Sequence, residues 1–168
     1  EIIQWFKTIL KILHDHRHLL NKPAMDDAGR RQVMDALGSA FSDYRLKVYK
    51  SGFSGVSSLL KKDILQLLEI SAEYFDHAIE ANRRENGLYH AYNLLDIDSS
   101  SDSASITPLY EMLEGQVAAL SSGELTRENA LSNLKTLFES GMYREDQKSF
   151  MLYPLKVLPK FLDKNIIS

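Results

Sequence analysis

Two stretches hold the residues best suited to chemistry. The first is Tyr89, His90, Tyr92 and Asn93, preceded by Arg83, Arg84 and Glu85; the second is Tyr143, Arg144, Glu145 and Asp146, followed by Gln147 and, further on, Tyr153. Aromatic faces stack on sugar rings, while amide, carboxylate and guanidinium groups orient hydroxyls by hydrogen bonds. Lying side by side, the two stretches would form a polar, aromatic patch able to hold a carbohydrate. The alternative is a buried seam whose tyrosines hydrogen-bond internally.

The other constellations stop short of a reaction. His14 and His18 share a helix face at i, i+4 near Asp15, but that face offers no third metal ligand and His16 points elsewhere. Histidines at a helix C-terminus also gain from the dipole. Glu69, Glu73, Asp76, His77 and Glu80 are acidic enough for a di-iron bundle. Such bundles take Glu-x-x-His at i, i+3 with partners on other helices. Here Glu73 and His77 are at i, i+4 with no second copy, so the stretch reads as a solvated face. Asp96, Asp98, Ser100 and Asp102 alternate like calcium-loop oxygens. The positions that such a loop fills with Gly and Glu hold Ser101 and Thr107. Glu111 and Glu114 fall at i, i+3 on one predicted helix face, whereas glycosidase acids flank a substrate. There is no phosphate-binding glycine loop and no GxSxG elbow. The sequence therefore assigns no catalytic residue, no metal ligand and no cofactor.

The composition narrows the class. The 168 residues are 44% hydrophobic and 26% charged, with a net charge of -3 and no cysteine. These are globular proportions. A folded monomer of this mass exposes roughly 8,000 Å². Near-neutral charge argues against a nucleic-acid partner, which needs a basic face. The lack of cysteine excludes zinc ribbons, iron–sulfur clusters and thiol catalysis. No run reaches the ~18 apolar residues of a membrane span, and Lys7 and Lys11 interrupt any signal-like stretch. The cytoplasm is the expected compartment.

Helices must carry most of this chain. Ile2, Trp5, Phe6, Ile9, Ile12 and Leu13 recur at helical spacing, predicting a helix over 2–20 that Asn21, Lys22 and Pro23 end. Trp5 and Phe6 also give this helix a membrane-surface look, but its broad stripe suits core packing. Asp26 or Asp27 caps a second helix with a stripe of Val33, Leu37, Ala40, Phe41, Tyr44 and Val48, closed by Ser51-Gly52. Within it, Gly38 either weakens the helix or permits close approach. Ser57 or Ser58 is expected to cap a long third helix to about Glu85, with Leu60, Ile64, Leu67, Leu68, Ser71, Tyr74, Phe75 and Ala78 on its stripe and Gly87 as its stop. Residues 88–98 read as extended or as a structured loop, and Ser99–Ser105 as a flexible bridge. Thr107-Pro108 predicts the start of a fourth helix that Gly123 ends. Thr126 caps a fifth, with Ala130, Leu134, Leu137 and Phe138 inward and Gly141 at its end. Phe150, Leu152 and Tyr153 suggest a short strand pairing with 88–97, and Phe161 and Leu162 a last helical turn. The expected fold is mainly α: five helices packed antiparallel around one core, a single domain over 1–168, with small irregular or β-like inserts near 88–98 and 142–156.

The first turn is apolar and the chain finishes on Ile166 and Ile167. Natural ends are usually polar and loose, so a segment of a longer polypeptide is expected, a processed tag or leader being the alternative. The phrases NGLYHAYNLLDI, LYEMLEGQVAALSSG and MYREDQKSFMLYPLKVLPKFLDKN resemble a region of large bacterial proteins grouped loosely with the cellobiose-phosphorylase-like, carbohydrate-active enzymes. The resemblance spans about residues 80–165 and carries over no catalytic residue. It implies one part of a much longer chain in carbohydrate metabolism. The leading expectation is thus a non-catalytic helical module, a scaffold or interdomain contact, whose partners are other domains of the same polypeptide or another protein. It predicts a large exposed apolar surface. The competing expectation is an enzyme part in which Tyr89, His90, Tyr92, Asn93, Tyr143, Arg144, Glu145 and Asp146 form a sugar-binding wall.

Overall fold

A computed structural model describes residues 1–164, the side chain of Leu162 excepted. Among the described residues the fold is mainly α, with 56% of them helical, five principal helices and two small antiparallel sheets. The chain gathers into two compact units. One comprises Glu1–Asn82 with Asn93–Pro108; the other comprises Arg83–Tyr92 with the chain from Leu109 onward. Where the sequence pattern suggests one core, each unit holds buried residues of its own.

The first unit is built from α1 (Ile2–Asp15), a 3-10 turn (Arg17–Asn21), α2 (Asp27–Ser51), α3 (Lys61–Ala81) and a hairpin of β1 (Asn93–Asp98) and β2 (Ser103–Pro108). α1 packs against both α2 and α3, and β2 lies on α2. Leu13, Leu19, Val33, Ile70 and Ala104 are its buried apolar residues. Trp5 stacks on Tyr44 at 5.2 Å between ring centroids, with Phe41 tilted against both. The Tyr74 hydroxyl donates to the Leu13 carbonyl at 2.9 Å, and Arg17 grips Glu73 through two nitrogens at 2.6 and 2.7 Å. These bonds fasten the end of α1 to the middle of α3.

Capping chemistry sets some boundaries as expected. The Asp26 carboxylate accepts from the Gly29 N–H at 2.8 Å and starts α2. Other boundaries move. The first helix stops at Asp15 and tightens into the 3-10 turn, with the His16 ring bonded to the Ile12 carbonyl at 2.8 Å. α3 starts at Lys61 with Leu60 at its cap, not from Ser57 or Ser58, and ends at Ala81 rather than Glu85. Its stop is Asn82, whose side-chain amide donates to the Ala78 carbonyl at 2.8 Å. Gly87, in the left-handed region at φ 84°, instead closes a tight turn in which the Arg84 N–H donates to the Leu88 carbonyl at 2.8 Å.

The largest correction concerns Thr107-Pro108, which ends β2 and starts no helix. Thr107 pairs with Leu94 and Ile106 with Leu95. A strand of alternating Ser, Ala and Ile finds a partner, and that cooperative pairing overrides a local capping signal. The Ser99–Ser105 bridge is accordingly a turn that runs into a strand. Residues 88–97 do not pair with 150–153; Asn93–Asp98 pairs with Ser103–Pro108 instead.

In the second unit α4 (Leu113–Ser122) and α5 (Arg127–Glu139) pack together, followed by a hairpin of β3 (Tyr143–Arg144) and β4 (Ser149–Phe150), and then a single helical turn, α6 (Phe161–Lys164). Gly123 ends α4 at φ 82°, and the Thr126 hydroxyl accepts from the Asn129 N–H at 3.1 Å to start α5. α4 has no side-chain cap; the Leu113 N–H donates to the Leu152 carbonyl at 2.8 Å instead. Leu88, Leu137 and Met142 form the core, with Leu113 and Phe150 packed against it. Phe138, Tyr143 and Phe150 add a three-ring cluster with centroids 5.0 to 5.2 Å apart.

Candidate functional site

The segment 83–92 is held in place by two buried amides. Gln116 on α4 and Asn133 on α5 are both completely buried. The Gln116 side chain pairs with the Tyr89 backbone as a strand would: its carbonyl accepts from the Tyr89 N–H at 2.8 Å, and its amide donates to the Tyr89 carbonyl at 2.8 Å. The Gln116 side-chain carbonyl accepts also from the Asn133 amide at 3.0 Å, while Asn133 donates to the Gly87 carbonyl at 3.2 Å. An extended segment crossing helices needs such partners, since an unpaired buried peptide group is expensive. Gly115 permits the approach. A Cβ there would lie 2.9 Å from the Tyr89 carbonyl oxygen and 3.1 Å from the Ala91 nitrogen.

Held this way, Arg83, Arg84, Glu85, Asn86 and His90 line an open cleft of about 430 Å³. The Arg84 guanidinium donates to His90 Nδ1 at 3.1 Å and lies 3.5 Å from the Glu111 carboxylate. Asn86 donates to the same carboxylate at 2.8 Å. Since guanidinium has no acceptor, Nδ1 carries the imidazole lone pair and Nε2 the proton. Burial, then the neighbouring Arg84 charge, pushes the His90 pKa below its usual value, against a hydrogen bond to the Leu109 backbone and the Glu111 charge. The cleft thus presents the His90 imidazole, the Glu85 carboxylate, the Asn86 amide and two guanidinium groups, with Glu111 held by Arg84 and Asn86. It can orient hydroxyls or a small polar ligand.

The remaining predicted residues are placed as follows. Tyr89 is 2% exposed, its backbone held by Gln116. Tyr92 is exposed. Asn93 belongs to the first unit, where it donates to Asn82 at 2.9 Å. Tyr143 packs into the ring cluster. Arg144 makes a two-pronged ion pair with Asp146 at 2.8 and 2.6 Å, and Glu145 pairs with Lys148 across the hairpin turn. The two stretches meet in the core through their neighbours Leu88 and Met142. Of the predicted set only His90 lines the cleft.

Glu111 precedes α4, so it is not the helical partner of Glu114. Asp98 closes the β1–β2 turn by accepting from Ser100 and Ser101, which holds its carboxyl down at about 2. Among the described residues no group of three or more His, Asp and Glu side chains is arranged to hold a metal ion, and no helix is long and apolar enough to cross a membrane.

Sequence reasoning missed Gln116 and Asn133. Asn133 occupies the i+3 slot of the stripe Ala130, Leu134, Leu137, and a polar residue in an apolar stripe is itself a signal of a buried hydrogen bond. No protein-family model matches this chain, and no curated protein matches it.

Proposed function

We propose that this chain is a non-catalytic helical module of a larger bacterial protein, a scaffold or interdomain contact that offers apolar faces to other domains of its polypeptide or to a partner protein. One observation carries the reading: apolar surface left uncovered. The accessible surface is 11961 Å². Two wholly separate globules of about 11 and 8 kDa, the sizes of the two units, would together expose roughly 10,100 Å². Exposed apolar side chains contribute to the difference of about 1,900 Å². Leu46, Tyr49, Phe53 and Val56 stand exposed at the end of α2 and beyond it, and Ile64, Leu65, Leu68 and Phe75 stand exposed on α3. Large apolar side chains left in solvent in this number favour a contact role. On the resemblance of residues 80–165 to bacterial proteins grouped loosely with carbohydrate-active enzymes we place the module in carbohydrate metabolism, and we propose the cytoplasm as its compartment. Carbene footprinting of the 168-residue chain and of a longer polypeptide that carries it tests the reading. Protection of Tyr49, Phe53 and Val56 in the longer form is expected; equal labelling in both would overturn it.

A second reading, a sugar-binding wall of an enzyme, draws on the cleft between Arg83 and His90. Oligosaccharides, neutral and acidic, should then raise the melting temperature, since a ligand that binds only the folded form stabilises it. The shift should vanish in Arg84→Ala. A panel without any shift sinks this reading.

A further inference from the structure

α3 carries two apolar faces. One holds Leu67, Ile70 and Tyr74 and is turned inward. The other runs Lys61, Leu65, Leu68, Ala72, Phe75, Ile79, at intervals of 4, 3, 4, 3 and 4 residues. That is the a/d repeat of a coiled-coil seam. Leu68 is 61% and Phe75 67% exposed, and Lys61, Leu65 and Ala72 are also exposed.

We propose that this seam docks against the same seam of a second copy of the chain, antiparallel, about a two-fold axis near residue 70. Three features of the helix select that occupant. The first is size. In antiparallel register Leu65 faces Phe75 and Leu68 faces Ala72 of the other copy, so the small Ala72 meets the larger Leu68 in both halves at once, where a parallel pair would set Ala72 against Ala72. The lysine stem at position 61 lies over Ile79 while its ammonium reaches water. The second is charge. The flanking positions on one side are Lys62, Glu69 and Asp76. An antiparallel pair sets Lys62 against Asp76 twice; a parallel pair sets neither against an opposite charge. The other flank is Ile64, Ser71 and Ala78, which adds apolar contact. The third is area. A specific interface needs about 800 Å² from each partner, and the seam offers Leu65, Leu68 and Phe75, each more than two-fifths exposed. The two-fold axis brings Glu69 against Glu69 of the second copy, a built-in weakness.

The inference rests on reading the exposed apolar faces as contact surfaces, and its test is separable from that reading. Sedimentation equilibrium of the whole chain should show a concentration-dependent dimer. Leu68→Glu, present twice per dimer, should weaken it at least ~100-fold, with the circular dichroism spectrum unchanged because Leu68 is exposed in the single chain. Lys62→Glu and Asp76→Lys should each weaken the dimer, and the two together should restore it, which only a self-paired antiparallel contact allows. Glu69→Gln should tighten it by about 2- to 5-fold. A monomer up to 0.5 mM (roughly the range of weak interfaces), a dimer indifferent to Leu68→Glu, or a failed charge-swap rescue would each overturn the proposal. None of these results touches the protection expected at Tyr49, Phe53 and Val56.

Discussion

Replacing Gln116 by methionine keeps the volume and removes every polar atom. The structure sets the size of the effect. Gln116 makes two hydrogen bonds to the Tyr89 backbone, one to Asn133 and one to the Met112 carbonyl at 2.9 Å. With methionine there, the Tyr89 N–H and carbonyl lose these partners, and each buried orphan costs about 1–3 kcal/mol. Asn133 keeps its bond to Gly87, so its share is smaller. The expected loss is about 3 kcal/mol, a large fraction of a domain's ~5–15 kcal/mol. For a unit of about 70 residues this lowers Tm by roughly 12–24 °C. Urea unfolding followed by tyrosine fluorescence and circular dichroism measures it. The Asn133 side-chain oxygen is buried without a hydrogen-bond partner, so Asn133→Leu removes a liability as well as a bond. In the Gln116→Met background it should cost at least ~1 kcal/mol less than in the parent, because the bond between the two amides is already gone. A Gln116→Met loss below ~1 kcal/mol, or additive single effects, would refute the claim that this amide pair holds the 86–90 segment.

Three other substitutions probe separate links. Gly115→Ala places a Cβ against the Tyr89 and Ala91 backbone rather than against a flexible tip, so it should cost about 1–3 kcal/mol; an unchanged urea midpoint would contradict the close approach. Gly38 has open space where its Cβ would stand, and Gly38→Ala should stabilise by about 0.5–1 kcal/mol through helix propensity alone, read as a raised Tm. His90 has a folded pKa below its unfolded value, so the unfolded chain takes up the proton first and stability falls as pH drops below about 6.5. His90→Gln should flatten that part of the pH–stability curve, and an NMR titration that puts the His90 midpoint at or above 6.5 would rule the account out.

Local chemistry was legible in the sequence wherever the partner lay within a few residues. Asp26 with Gly29, Thr126 with Asn129 and Gly123 at the end of α4 are contacts made by neighbours along the chain. Thr107-Pro108 has the same local grammar, yet its fate was decided by Leu94 and Asn93 across a turn. Leu60 caps α3 with no side-chain bond, so no residue type announces that boundary. The cleft-lining stretch around 83–90 stood out by its polar and aromatic composition. Its clamp did not, because Gln116 reaches a backbone 27 positions earlier. Arg144 and Asp146 illustrate the opposite failure. Residue types that suit a ligand instead satisfy each other two positions apart.

α3 shows why amphipathic spacing leaves the orientation of a helix open. The expected stripe from Leu60 to Ala78 spanned two faces at once, because apolar residues occupy both. A stripe that wide is wider than the face needed to pack one neighbour. In the structure Leu67, Ile70 and Tyr74 turn inward beside α1, while Ile64, Leu68, Phe75 and Ala78 are exposed. Ile70 lay off the expected stripe and is the most buried residue of the helix. The tie was broken by bonds the sequence pattern does not register: Tyr74 to Leu13, Glu73 to Arg17, and the His77 ring to the Lys22 carbonyl at 2.7 Å. Each polar group needs its specific partner, whereas either apolar face could have been buried with similar gain. The polar bonds therefore select the inward face, and the remaining seam of Leu65, Leu68, Ala72 and Phe75 is left for a second molecule to cover.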